Sequence, residues 1–84
     1  MLEELFSSKT RARLLRTFFG NPGKSFYQSE LRGGDAISVV QYELGKLTHL
    51  KVVNTFSAGN KRYYQVNSKH KIYNELKDLV HKAS

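Results

Sequence analysis

From Ser29 to Asn67 the chain reads SELRGGDAISVVQYELGKLTHLKVVNTFSAGNKRYYQVN, and its hydrophobic period changes once, from helical to alternating. Ile37, Val40, Leu44 and Leu47 are spaced three, four and three apart and so share one face of a helix. The pattern predicts a helix over about 36–50, with Asp35 as its N-cap. Gly33-Gly34 supplies the turn before it, and Gln28 to Arg32 reads as a brief helix that buries Leu31. Beyond the long helix, the wing spans about 52–67 and turns at Gly59-Asn60, a pair that suits a two-residue type II′ hairpin. A loop of that length fixes the register. Val53 then faces Val66 and Thr55 faces Tyr64 on the core side, with Phe56 opposite Tyr63 on the other.

The flanking segments fit around this unit. A first helix begins near Ser8, with Ser7 or Ser8 as its cap, and turns Leu14, Leu15 and Phe18 inward. Its Arg11, Arg13 and Arg16 point mostly outward. Gly20-Asn21-Pro22-Gly23 stops it, because proline cannot continue the hydrogen-bond ladder. Ser25-Phe26-Tyr27 is short, aromatic and suited to a third small strand. A final helix over about 71–83 places Ile72, Leu76, Leu79, Val80 and Ala83 on one stripe. The expected fold is α+β: a helix-turn-helix in a three-helix core, a β-hairpin wing and a C-terminal helix, all in one domain over 1–84.

Composition narrows the functional classes. A hydrophobic fraction of 39%, with five Phe and five Tyr, is that of a folding chain. Fourteen Lys and Arg against seven Asp and Glu give a net charge of +7, which favours polyanionic partners. No apolar run is long enough to span a membrane. The acidic opening Met1-Leu2-Glu3-Glu4-Leu5-Phe6 has no leader-peptide core, so a cytoplasmic location is expected. With no cysteine, there is neither a disulfide nor a thiolate metal site. His49, His70 and His81 do not form a metal-ligand cluster. The sequence has no nucleophile elbow, P-loop or dinucleotide fingerprint, so neither catalysis nor a cofactor is expected.

The binding residues follow from the helix that carries the apolar stripe. At about 100° per residue, the face opposite its core stripe centres on Ser38, Tyr42, Gly45, Lys46 and His49, with Val39 and Gln41 on its flanks. Glu43 lies nearer the buried side, where it would pair with a basic neighbour. A helix of this kind fills a DNA major groove, with its N-terminal half nearest the bases. Ser38 can donate to a phosphate or base edge, Gln41 can bond an adenine edge in bidentate fashion, and Tyr42 can reach phosphate or a thymine methyl. Lys46 suits phosphate. Gly45 is unusual in mid-helix. At the hairpin tip, Asn60, Lys61 and Arg62 would lie along phosphates or dip into the minor groove. Arg11, Arg13, Arg16, Lys24 and Arg32 add charge near the first two helices. The set Ser38, Val39, Gln41, Tyr42, Gly45, Lys46, Asn60, Lys61 and Arg62 thus reads as a site for double-stranded DNA. Ordinary solvated helix residues and a solubilising hairpin tip are the bland alternative for each.

Four segments resemble a known family: LFSSKTRARLL from Leu5 to Leu15, NPGKSFYQSEL from Asn21 to Leu31, VQYELGKL from Val40 to Leu47, and GNKRYYQVN from Gly59 to Asn67. Together they resemble the winged helix-turn-helix domains of the ArsR-like and MarR-like regulator superfamily, over nearly the whole chain. The resemblance implies a prokaryotic, archaeal or viral transcriptional regulator, often a homodimer, that binds operator DNA. Two departures stand out. The Gly33-Gly34-Asp35 turn is about two residues shorter than the family pattern. The cysteine-containing metal-sensor motif is missing, so metal sensing is not implied. The alternative is an adaptor on the same fold: a protein–protein module, kept open by Val39, Tyr42 and the Phe56–Tyr63 pair, or an RNA-binding variant, which no residue separates from the DNA reading.

Overall fold

The computed structural model describes residues 8–83; the opening hexapeptide and the alternative cap Ser7 lie outside them. In chain order the elements are α1 (Lys9–Gly20), β1 (Phe26–Tyr27), α2 (Gln28–Leu31), α3 (Ile37–His49), β2 (Val53–Ala58), β3 (Lys61–Val66) and α4 (Tyr73–Lys82). Ser8 caps α1, its hydroxyl accepting the Arg11 N–H at 3.2 Å, which satisfies one of the first-turn donors. From α1, Leu14, Leu15, Phe18 and Phe19 are buried. They meet Leu31 of α2, Val40, Leu44 and Leu47 of α3, and the inner face of the sheet. Phe18 sits edge-on to Phe26, ring centroids 5.9 Å apart.

The sheet has strand order β1-β3-β2 and is antiparallel throughout. The hairpin register is the expected one: Val53 faces Val66, Thr55 faces Tyr64 and Phe56 faces Tyr63. Gly59 takes φ 61° in the two-residue loop, the positive value that a type II′ turn needs at its first position. The Phe56 and Tyr63 rings stack on the outer face with centroids 5.5 Å apart, and Tyr27 meets Tyr63 edge-on.

α3 ends in a Schellman motif. The Val52 N–H reaches the Leu47 carbonyl and the Lys51 N–H reaches that of Thr48, both at 3.0 Å, while the Val52 and Leu47 side chains are buried. Lys51 holds the left-handed position at φ 65°. This geometry turns the chain from α3 into β2 within three residues and sets the wing beside the helix. His70 ties the same corner to α4, its Nδ1 accepting the Ile72 N–H and its Nε2 lying 3.2 Å from the Leu50 carbonyl.

Three expectations need correction. Asp35 does not cap α3: the cap is Ala36, without a side-chain bond, because Arg13 holds the Asp35 carboxylate at 2.9 Å. The last helix starts at Tyr73 rather than near residue 71, and Ile72, its cap residue, is exposed. Its inward side is Val80 with the partly buried Tyr73 and Leu76, and Tyr73 stacks on Phe19 at 5.5 Å. Ile37 is only half-buried, so the α3 core stripe is Val40, Leu44 and Leu47.

Candidate nucleic-acid interface

α1 holds α3 at one point and the turn before it at another. Arg11 Nε donates to Glu43 Oε1 at 2.7 Å, and the Glu43 side chain is only 5% exposed, so this ion pair lies in the seam between the two helices. Two residues further along α1, Arg13 bonds Asp35 through two nitrogens and also donates to the Arg32 carbonyl at 2.9 Å. Its guanidinium lies over Gly33, which turns at φ 58°; a Cβ there would come within 3.1 Å of the Arg13 guanidinium carbon. The short Gly33-Gly34-Asp35 turn is thus packed under an arginine. The Arg13 hydrogen bonds, with help from the Thr10 hydroxyl, hold the Asp35 carboxyl below the usual aspartate range.

The face of α3 turned away from these contacts is open. Ser38, Val39, Gln41, Tyr42, Gly45 and Lys46 are all exposed, Tyr42 to 60%. The side chains of Ser38 and Gln41 make no hydrogen bond within the described residues. Lys46 Nζ stands 5.1 Å from the Tyr42 ring centroid, a cation–π contact one turn apart on the helix. Gly45 costs about 1 kcal/mol relative to alanine in a helix interior.

Two concavities flank this face. A groove of about 590 Å³ separates α3 from the wing and is lined by Gln28, Gln41, Gly45, Thr48, His49, Thr55, Arg62 and Tyr64. On the far side, Gln41, Tyr42, Gly45, Lys46, His49 and Leu50 line a second hollow of about 420 Å³. No carboxylate lines either one. The two cations at the hairpin tip part company. Arg62 turns inward to the α3 groove, 3.4 Å from the Thr55 hydroxyl. Lys61 turns outward and stands 3.9 Å over the Tyr27 ring. Both also line a hollow with Gln28 and Ser29 at the start of α2.

The structure therefore brings Gln41, Gly45 and Arg62 onto one groove, and Tyr42 and Lys46 onto its neighbour. Ser38 and Val39 lie toward the N-terminus of α3, and Asn60 lies at the hairpin tip; none of them lines these hollows. Gln28, Thr48 and Thr55 were not foreseen as part of the surface. They come from three different elements, and only the pairing of β2 with β3 and the packing of α2 beneath it put them together. His49 carried a signal, since it falls on the same helical face as Gly45 and Lys46.

This arrangement is a winged helix-turn-helix. No known protein-family profile matches the chain, and no curated protein matches it in sequence. Among solved structures, the crystal structure of the AntR antimony-specific transcriptional repressor shares the fold, with a TM-score of 0.68 over 98% of this chain and 76% of that one. The two are 20% identical, so the likeness is one of architecture. The fold implied by the four sequence segments is the fold found.

Proposed function

We propose that this chain is a transcriptional regulator that binds double-stranded DNA with sequence preference. One observation carries the reading. The open face of α3, free of carboxylates and with the Ser38 and Gln41 side chains uncommitted, adjoins a groove whose other wall carries Arg62. A helix of this diameter fits the major groove, and its N-terminal half would present Ser38, Val39, Gln41 and Tyr42 to base edges. Lys46, Asn60, Lys61 and Arg62 would meet phosphates or the adjacent minor groove. The excess of fourteen cationic over seven acidic residues supports a polyanionic partner, and the fold is one that AntR, a repressor, also uses.

We further read the protein as a cytoplasmic homodimer of single-domain chains, paired through α1 and α4. Two such modules would meet half-sites about 34–36 Å apart, one turn of the duplex. Antimony specificity belongs to AntR and is not extended to this chain, which has no cysteine to offer a soft metalloid.

The test is fluorescence anisotropy with random duplex DNA and with the DNA upstream of the protein's own gene, across a salt series. Tighter upstream binding with a steep salt slope supports the reading. Equal affinity for both makes the protein a non-selective binder. Binding to neither at low salt overturns the DNA reading and favours an adaptor that uses the exposed Val39, Tyr42 and Leu50.

A further inference from the structure

Gly45 has no reason within the free protein to be glycine. Among the described residues, only Gly33 and Gly59 are glycines with positive φ, so the Gly45 backbone is one any residue adopts. A Cβ built on Gly45 would meet nothing within 4 Å. Glycine is nonetheless among the poorest residues for the middle of a helix, and this position is four residues from the end of α3. A cost with no return inside the fold points to something that meets the helix from outside.

The position of Gly45 says what that is. It forms part of the wall of both hollows beside α3, along with Gln41 one turn before it and His49 one turn after. Lys46 borders one hollow and Arg62 the other, with no carboxylate on either side. The surface is therefore a saddle whose lowest point is bare main chain, with a cation on each flank. A linear polyanion crossing it would touch the helix backbone at the saddle and find a positive charge on both sides. Gly45 also lies about 6 Å further along the axis than Gln41. A recognition helix reads bases mainly with its N-terminal residues, so this point falls toward the rim of the groove, where the sugar–phosphate strand runs.

Resting on the DNA reading above, we propose that one strand of the duplex crosses α3 at Gly45. Its sugar–phosphate backbone packs against the helix main chain, and its neighbouring phosphates are shared between Lys46 and Arg62. Gly45 is on this account a positioning residue: the missing side chain sets how deeply α3 seats.

The experiment is paired melting and duplex-binding measurements on Gly45→Ala and Gly45→Gln. Because alanine is the better helix former, Gly45→Ala should melt about 4–8 °C higher than the wild type. It should also bind the same duplex about tenfold more weakly, with the salt slope unchanged because no charge is removed. Gly45→Gln, bulkier and also a good helix former, should bind more weakly still without melting below the wild type. Variants that melt higher and bind as tightly as the wild type overturn the close approach while leaving the DNA reading intact. A lower melting point for Gly45→Ala also overturns it, since the fold itself would then require glycine. A wild type that binds no duplex removes both readings together.

Discussion

The cations of α1 and those of the α3–wing surface stand in opposite situations. Arg11 and Arg13 each close on a carboxylate of the helix-turn-helix, Glu43 at 2.7 Å and Asp35 at 2.9 Å. Lys46 and Arg62 have no carboxylate partner among the described residues; one rests on the Tyr42 ring and the other near a threonine hydroxyl. The net charge of +7 counts all four alike. The field a partner meets does not, because a cation neutralised by an adjoining carboxylate adds little to it. One group shapes the fold and the other is left for an external polyanion.

The largest expected effect tests the first group. Glu43→Ala removes the carboxylate from the α1–α3 seam and should cost about 3 kcal/mol in urea unfolding, near the lower end for a buried pair because Arg11 keeps some exposure. A loss under about 1 kcal/mol would class the pair with ordinary surface bridges and weaken the contrast. Next comes Gln41→Ala on the open face. It should leave stability alone and reduce the preference for the best site over random duplex by about 1–3 kcal/mol. An unchanged ratio makes Gln41 a bystander. The wing gives a smaller and sharper reading. Arg62→Ala should lower the slope of log affinity against log salt by about 0.9, the value of one phosphate contact. Lys61→Ala should lower it less, since Lys61 is held over Tyr27 on the outer face. If neither slope moves, the wing is not at the interface.

The smallest effect concerns Asp35. Its folded pKa is depressed below an ordinary value of 3.8, chiefly by Arg13, so the stability it adds is fully present above that value. It is lost as pH falls through the folded pKa. Asp35→Asn should therefore lower stability at neutral pH and flatten its acid dependence below about pH 4, as followed by circular dichroism. Parallel acid profiles for the two proteins would separate Arg13 and Asp35 from the structural group.

What could be read from the sequence was whatever repeats locally. The Val40–Leu44–Leu47 stripe, the alternation around Gly59-Asn60 and the Ser8 cap are properties of a few consecutive residues. They gave the elements, the hairpin register and the open face of α3. Glu43 was also expected to find a basic partner, because its place on the helix is settled by the same period. Contacts between distant residues could not be read. Arg13 and Asp35 lie 22 positions apart, and an aspartate before a helix is ordinarily its cap. The Tyr73 stack on Phe19 depends on where α4 docks, which no local pattern encodes. The split between Lys61 and Arg62 was implicit in strand alternation, yet the ring under Lys61 belongs to β1, whose pairing with β3 had to be seen.

Lys51 closes α3 in the left-handed conformation, where glycine is the usual choice, and Gly45, six residues earlier, occupies regular helix, where almost any other residue does better. Each position reverses the preference of its own backbone at a cost of about 1 kcal/mol. Relief at either site is worth about 4–8 °C in a domain of this size. The architecture can therefore sustain a higher melting temperature than this sequence gives it. Selection of variants for heat tolerance alone should recover substitutions at 45 and 51 early, since both positions face solvent and neither exchange disturbs the core.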